Sequence, residues 1–390
     1  MGPAVKFSYI TFQVTDDCNW DCLFCYQKKG RRYLDHGLLG DACTFFYPHL
    51  AEDCTICFWG GEPLLAMDSI RLAMERFEAH RKGARRGFRY SLTTNGSLLT
   101  GDVLQFLNTH GFEILLSFDV PAADNRSLSH RRQTLALLDR LLDSPRIQTT
   151  TNNVFTPRTV HWLSASARLL AERGVPRVYL SPANNVVWDS ASLARLGSEL
   201  TRLRRWLVPF YERFGTVPVL DFQEGSAEGT FVCTAGRDRM CLAADGTLWG
   251  CHLFVDYFRA HPDEHGQAYF GFGPFEAFAR SPERRYKKAL RNHDLLRMEY
   301  FQAPKSPCQL CWALDQCRIC PVLAALSSRE IGRISASTCR ISRLLMTQRV
   351  LFWEEVGRAG GSPSLLSSRR ASSTSGQPAS AFLHSSRNLA

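Results

Sequence analysis

Three cysteines fall within eight residues, Cys18-Asn-Trp-Asp-Cys22-Leu-Phe-Cys25, in the spacing C-x3-C-x2-C directly after an apolar, strand-like stretch. Iron–sulfur clusters ordinarily take four cysteines. Three thiolates on one short loop can each reach a different iron of a [4Fe–4S] cube, which leaves the fourth iron open. An open metal position is where a small ligand binds and reacts, whereas a structural zinc ion asks for a fourth protein ligand and a closed tetrahedral cage.

Further chemistry-bearing residues recur at the ends of the next apolar stretches. Phe58-Trp59-Gly60-Gly61-Glu62-Pro63 carries two adjacent glycines, which let backbone approach a ligand without a Cβ in the way, and a carboxylate able to pair with an ammonium group. Ser91-Leu-Thr-Thr94-Asn95-Gly96 and Ser117-Phe-Asp119 place short polar side chains where strands finish, the end of a parallel barrel that holds active sites. Asn152 and Asn153 near the end of a fifth strand are further candidates, with Arg126 and Arg132 as partners for a carboxylate. Cys43, Cys54 and Cys57 read as buried thiols, because strand alternation sends Cys54 and Cys57 to opposite faces.

These motifs resemble the radical S-adenosylmethionine (SAM) superfamily, whose signature is this cysteine spacing with an aromatic, here Phe24, before the third cysteine. The resemblance implies that Cys18, Cys22 and Cys25 hold a catalytic [4Fe–4S] cluster whose open iron is chelated by the amino and carboxylate groups of SAM. One electron then cleaves SAM to methionine and a 5′-deoxyadenosyl radical, which abstracts hydrogen from substrate. It further implies that Phe24, Gly60, Gly61, Glu62, Thr94, Asn95, Ser117 and Asp119 border the SAM pocket, with the Gly-Gly-Glu-Pro segment at the SAM amino group.

A second cysteine set follows: Cys233, then Gly246 and Cys251, then Cys308-x2-Cys311-x5-Cys317-x2-Cys320, and Cys339. It resembles the SPASM extension of radical SAM proteins, with one departure: two residues instead of three precede Cys320. By resemblance Cys308, Cys311, Cys317 and Cys339 hold one auxiliary [4Fe–4S] cluster, and Cys233, Cys251 and Cys320 the other. Cys241 is the candidate fourth ligand there; without it that cluster has an open iron. Paired C-x2-C sequences also make zinc sites, so structural zinc is the rival reading.

The elements that must position these residues alternate regularly. Strands are expected at Lys6–Val14, Thr55–Trp59, Arg89–Leu92, Glu113–Phe118, Ile147–Val154 and Arg177–Leu180, with amphipathic stretches at Leu65–Phe77, Arg131–Leu142 and Thr159–Glu172 between them. Units of this kind either wind doubly or close partly into a barrel. With the resemblance, the fold class is a partial (β/α)6 TIM-type barrel over 1–182, followed by a small cysteine-rich α+β SPASM-like domain over 229–357. A bridging helical segment, 183–228, contains one long helix at 189–214. From Phe231 regular helices become few, apart from one at Ile341–Val356, and 358–390 reads as a disordered tail.

The chain has 390 residues, 45% hydrophobic and 22% charged, with fourteen cysteines. In a reducing compartment clustered cysteines mean metal or catalysis rather than disulfides. No secretion signal or membrane span is expected, so the chain is read as cytoplasmic. The net charge of +10 is carried partly by Arg369, Arg370 and Arg387 in the tail. The run Arg81–Arg89 reads as a solvated helix end and loop, and no nucleic-acid or membrane partner is expected.

SPASM-type proteins are dominated by peptide maturases, so the resemblance implies a peptide or protein substrate modified by thioether or carbon–carbon crosslinking, epimerisation or oxidation. Seventeen residues precede Cys18, which leads to the expectation of a separate leader-peptide-binding protein rather than a fused domain. An external electron donor such as flavodoxin or ferredoxin is also implied. Sulfatase maturases follow the equivalent of Cys251 with an acidic residue, and here His252 stands instead. A sulfatase-maturase-like enzyme, a small-molecule radical dehydrogenase, and a non-catalytic zinc or iron–sulfur scaffold or electron carrier remain as alternatives.

Overall fold

The computed structural model describes residues 6–81, 87–120, 131–224, 233–282, 286–287, 291–293, 308, 310–314, 317 and 319–359, with 131–134 in backbone only. Arg126, residues 82–86 of the basic run, Phe231, Arg318 and the tail from 360, with its three arginines, lie outside them.

Six parallel strands run in the order of the sequence: β1 (Phe7–Thr15), β2 (Leu50–Gly60), β3 (Gly87–Thr94), β4 (Glu113–Ser117), β5 (Gln148–Phe155) and β6 (Arg177–Pro182). Each expected strand is present. Between them come α1 (His36–Phe46), α2 (Met67–Arg81), α3 (Gly101–His110), α4 (Arg131–Leu142) and α5 (Leu163–Glu172). Alternation in β1 shows why. Ile10, Phe12 and Val14 face the helices, where Phe12 meets Phe46, Phe58 and Phe77. Burying one such phenyl contributes about 2–3 kcal/mol. Loops are set by local chemistry: Thr100 caps α3, and Gly111 ends it in the left-handed region at φ 66°.

The strand faces turned away from the helices are polar. Arg89 on β3 lies 3.6 Å from the buried Glu113 on β4, so this arginine is an interior partner rather than part of a solvated stretch.

The same sheet continues past the expected domain boundary. β7 (Arg239–Leu242) pairs parallel with β1, then β8 (Thr247–Trp249) and β9 (Gly273–Pro274) follow antiparallel. The cysteine-rich part is more helical than its sequence suggests. It contains α7 (His252–Ala260), α8 (Glu264–Phe270), α9 (Phe275–Arg280), α10 (Pro321–Ser328) and α11 (Ala336–Ala359). The last helix is eight residues longer than expected, 24 instead of 16, and takes in Cys339 and the first two residues assigned to the tail.

The long helix that follows β6 is α6 (Ser190–Phe214), within the bridging segment. It packs on α5 and alongside α11, with Arg204 bonded to Gln348 at 2.9 Å and Tyr211 against Phe352 and Trp353.

Candidate active site

The cysteine loop begins where β1 ends and is tied down before the first thiol. Thr15 donates to the Arg32 carbonyl at 2.7 Å and accepts from Asp17 N–H at 3.0 Å. Buried Asp16 accepts from Arg32 N–H at 2.7 Å and pairs with Arg259 of α7 at 3.2 Å. The end of β2 docks onto this segment: Gly61 N–H donates to the Thr15 carbonyl at 3.2 Å and Glu62 N–H to the Asp17 carbonyl at 2.8 Å.

A Cβ on Gly60 would lie 2.4 Å from the Thr15 oxygen, and one on Gly61 would lie 2.2 Å from the Asp17 oxygen and 2.8 Å from Cys18 Cβ. The glycines therefore admit the protein's own cysteine loop as well as bordering the cleft.

Cys18, Cys22 and Cys25 line one cleft of about 910 Å³, counted to its open mouth, at the C-terminal ends of the strands. Phe24, Gly60, Gly61, Thr94, Asn95 and Ser117 line it too. Burial pushes the Cys18 thiol up to about 11 and raises Cys25. Loading metal onto them therefore releases protons.

Two expected pocket residues stand behind the wall instead. Glu62 is fully buried and accepts from Thr94 Oγ1 at 2.7 Å, Asn95 N–H at 2.7 Å and Leu64 N–H at 3.1 Å. Asp119 accepts from Val154 N–H at 3.1 Å and joins β4 to β5. Of the asparagine pair, Asn152 faces the cleft with Ser181 donating to it at 2.6 Å. Asn153 turns the other way and donates to Thr151 Oγ1 and the Tyr179 carbonyl.

Lys29, Ser181, Asn184 and Asn185 also line the cleft and belong to no motif. Only their positions at a strand end, or beside the cysteine loop, would have signalled them.

Burial pushes the Glu62 carboxyl up to about 7, against the pull of its hydrogen bonds from Asn95 and Thr94. Its folded value lies above its ordinary one, so its contribution to stability is present at low pH and is lost as pH rises from about 4.5 through about 7. Glu62→Gln in the metal-free protein is expected to flatten the fall in unfolding free energy between pH 5 and pH 7.5, by on the order of 3 kcal/mol. Parallel urea titrations of the two proteins check this, and equal slopes would contradict it.

α7 connects the cleft to the second cysteine set. It starts right after Cys251. His252 is buried, with its ring 4.2 Å from that of Trp59, and burial pulls it down to about 3, so it is neutral at working pH. One turn on, buried Asp256 accepts from Gln13 at 3.3 Å and from Gln27, two residues after Cys25, at 3.1 Å.

Cys233, Cys251 and Cys320 pack around one apolar cluster with Tyr26, Trp249 and Leu323. Burial raises Cys251 and pushes Cys320 up to about 12, with Cys233 adding to both. Cys241 belongs to the same cluster but is sealed on β7, in register with Thr11 and Trp249, within electrostatic reach of Cys251 and Cys57. Cys339 of α11 stands within electrostatic reach of Cys308 and Cys311, and Cys317 of Cys308 and Cys339. Cys54 lies in the helix-side core, while Cys57 lies on the opposite face beside Tyr9 and Ser91.

All fourteen cysteines are free thiols. Among the described residues no three His, Cys, Asp or Glu side chains converge on one point as ligands of a single ion would. Thiolates on separate irons of a cube stand farther apart than those on one tetrahedral zinc. The donor set at the barrel mouth is three thiols on one loop, which suits a cube with one iron left to another ligand.

No family model matches the chain. Over 139 residues, 30% of this chain and 28% of the relative, it is 26% identical to the radical SAM cyclopropyl synthase TigE of Paramaledivibacter caminithermalis. An uncharacterized protein of Archaeoglobus fulgidus is 29% identical over 122 residues, again 30% of this chain. The matches span less than a third of either relative's length.

Among solved structures, anSMEcpe with bound AdoMet and a Cp18Cys peptide superposes with TM-score 0.70 at 15% identity, over 91% of this chain and 99% of that one. SuiB of Streptococcus suis bound to its precursor peptide SuiA superposes with TM-score 0.54 at 14% identity, over 86% and 76%. A parallel partial barrel thus carries a three-cysteine loop at its mouth, in a chain similar over 30% of its length to a radical SAM enzyme. Its fold is shared with anSMEcpe and SuiB. Among the described residues no helix is long and apolar enough to cross a membrane.

Proposed function

We propose that the chain reductively cleaves SAM and uses the resulting radical to modify a peptide or protein after translation. The observation that carries this reading is the convergence of Cys18, Cys22 and Cys25 on one open cleft with the polar strand ends Asn95, Ser117 and Asn152. A cluster on the three thiols, with SAM on its open iron, supplies a 5′-deoxyadenosyl radical when loaded and reduced. The chain's own residues bind and orient. Glu62 holds Thr94 and Asn95 in place, the glycines fix Cys18, and α7 braces the loop through Gln27 and Asp16.

Support for a peptide substrate comes from the peptides bound to anSMEcpe and SuiB. An electron donor of the flavodoxin or ferredoxin type, a separate leader-binding protein and a reducing, cytoplasmic setting complete the reading. The eight thiols outside the barrel loop and barrel core are assigned to two auxiliary clusters, with Cys241 as the one whose ligand role is open.

The test is anaerobic reconstitution with iron and sulfide, then dithionite and SAM, with peptides encoded beside the gene as substrates and mass spectrometry as readout. Release of 5′-deoxyadenosine together with a mass change in a peptide is expected. Turnover of SAM that alters only an amino sugar would shift the reading to a small-molecule dehydrogenase.

Metal content separates clusters from zinc. About twelve irons per chain are expected from three cubes. Cys320→Ser is expected to lower that to about eight and to loosen the apolar cluster around α7, because metal binding is coupled to folding in such units. About four irons in the wild type, or stoichiometric zinc, would remove the auxiliary clusters.

A further inference from the structure

The loop after Cys25 is anchored on both sides of Lys29. Upstream, Gln27 donates to Asp256 at 3.1 Å. Downstream, Gly30 N–H donates to the Asp16 carbonyl at 3.0 Å, and a Cβ on Gly30 would lie 2.6 Å from the Asp16 carboxylate. Between these anchors the Lys29 side chain turns back over the cysteine loop, where Nζ donates to the Trp20 carbonyl and lies 2.9 Å from Asp21 Oδ1.

Among the described residues that line the cleft, Lys29 alone is a charged side chain; the other polar groups there are thiols, amides, hydroxyls and the indoles of Trp20 and Trp59. Of its two present partners, the Trp20 carbonyl and Asp21, the charged one is a weak competitor. The Asp21 side chain is fully exposed whereas that of Lys29 is 26% exposed, and exposed ion pairs contribute about 0–1 kcal/mol.

SAM presents one anionic group, its carboxylate, and the reading proposed above brings that group to the iron beside Cys18, Cys22 and Cys25. We infer that Lys29 is the cation that receives the SAM carboxylate, exchanging Asp21 for it. The inference rests on the radical SAM reading and adds a residue that the resemblance does not supply.

The test measures binding rather than turnover. Reconstituted wild type, Lys29→Met, Lys29→Arg and Asp21→Asn are matched for iron content and titrated by equilibrium dialysis with SAM and with 5′-methylthioadenosine, which keeps the nucleoside but has no carboxylate. Lys29→Met is expected to weaken SAM binding about tenfold, the scale of a lost charge-assisted contact, with methylthioadenosine unchanged. Lys29→Arg is expected to retain most of the affinity, and Asp21→Asn to equal or exceed the wild type. Equal losses for both ligands would make Lys29 a shaper of the loop and overturn the inference, as would unchanged SAM binding in Lys29→Met. Wild type that binds no SAM would overturn the radical SAM reading itself, and the inference with it.

Discussion

Cys22→Ala is expected to lower 5′-deoxyadenosine release, with dithionite and SAM supplied, by about a thousandfold or more, to the protein-free background. Cys22 is partly exposed on its loop and belongs to none of the apolar clusters, so the fold should survive its loss. Circular dichroism and iron from the second cysteine set should therefore remain. Two thiolates cannot hold a cube in the geometry that leaves one iron open. Liquid chromatography of quenched reactions reads the nucleoside directly. The same trace amount from wild type and variant would mean that the cleft does not cleave SAM.

Gly61→Ala is expected to act almost as strongly without touching a thiol. The new methyl would sit 2.2 Å from the Asp17 oxygen and 2.6 Å from its carbonyl carbon, with Cys18 Cβ next at 2.8 Å. Backbone atoms cannot rotate away as a flexible side chain would, so the cysteine loop must move. Overpacking of this kind costs about 1–3 kcal/mol, and displacement of Cys18 should drop iron from about twelve to about eight per chain. Gly101→Ala is the control, since a Cβ there meets nothing within 4 Å at the start of α3. It should leave iron unchanged and stability equal or slightly raised. Full iron loading in Gly61→Ala would contradict the close docking of β2 on the cysteine loop.

Much of the frame is legible in the residues. Strands such as Phe7–Thr15 and Glu113–Ser117 are apolar on the helix side, and the loops between them end in turn chemistry such as Asn95-Gly96. The cysteine spacing names the thiols because ligand reach on a short loop depends on sequence distance alone.

What stays hidden depends on tertiary direction. Glu62 looks like a pocket carboxylate, yet Thr94 and Asn95 turn it inward, and no local pattern reveals donors that arrive from the next strand. Lys29 looks like one charge in a basic stretch until Gly30 is seen pinned on Asp16. The shared sheet is hidden for the same reason: β7 is four residues long, and its pairing with β1 bridges more than two hundred residues of chain. The helicity of the cysteine-rich part is obscured because its short helices are held by packing around Trp249, Phe254 and Leu323 rather than by long periodic runs.

The most direct measurement is the Mössbauer spectrum of protein reconstituted with ⁵⁷Fe, recorded before and after SAM is added. A coordinatively incomplete iron beside Cys18, Cys22 and Cys25 predicts that about one iron in twelve leaves the sulfur-ligated envelope when SAM binds, and that Cys22→Ala lacks this response. Spectra in which every iron is thiolate-capped and indifferent to SAM would contradict the account.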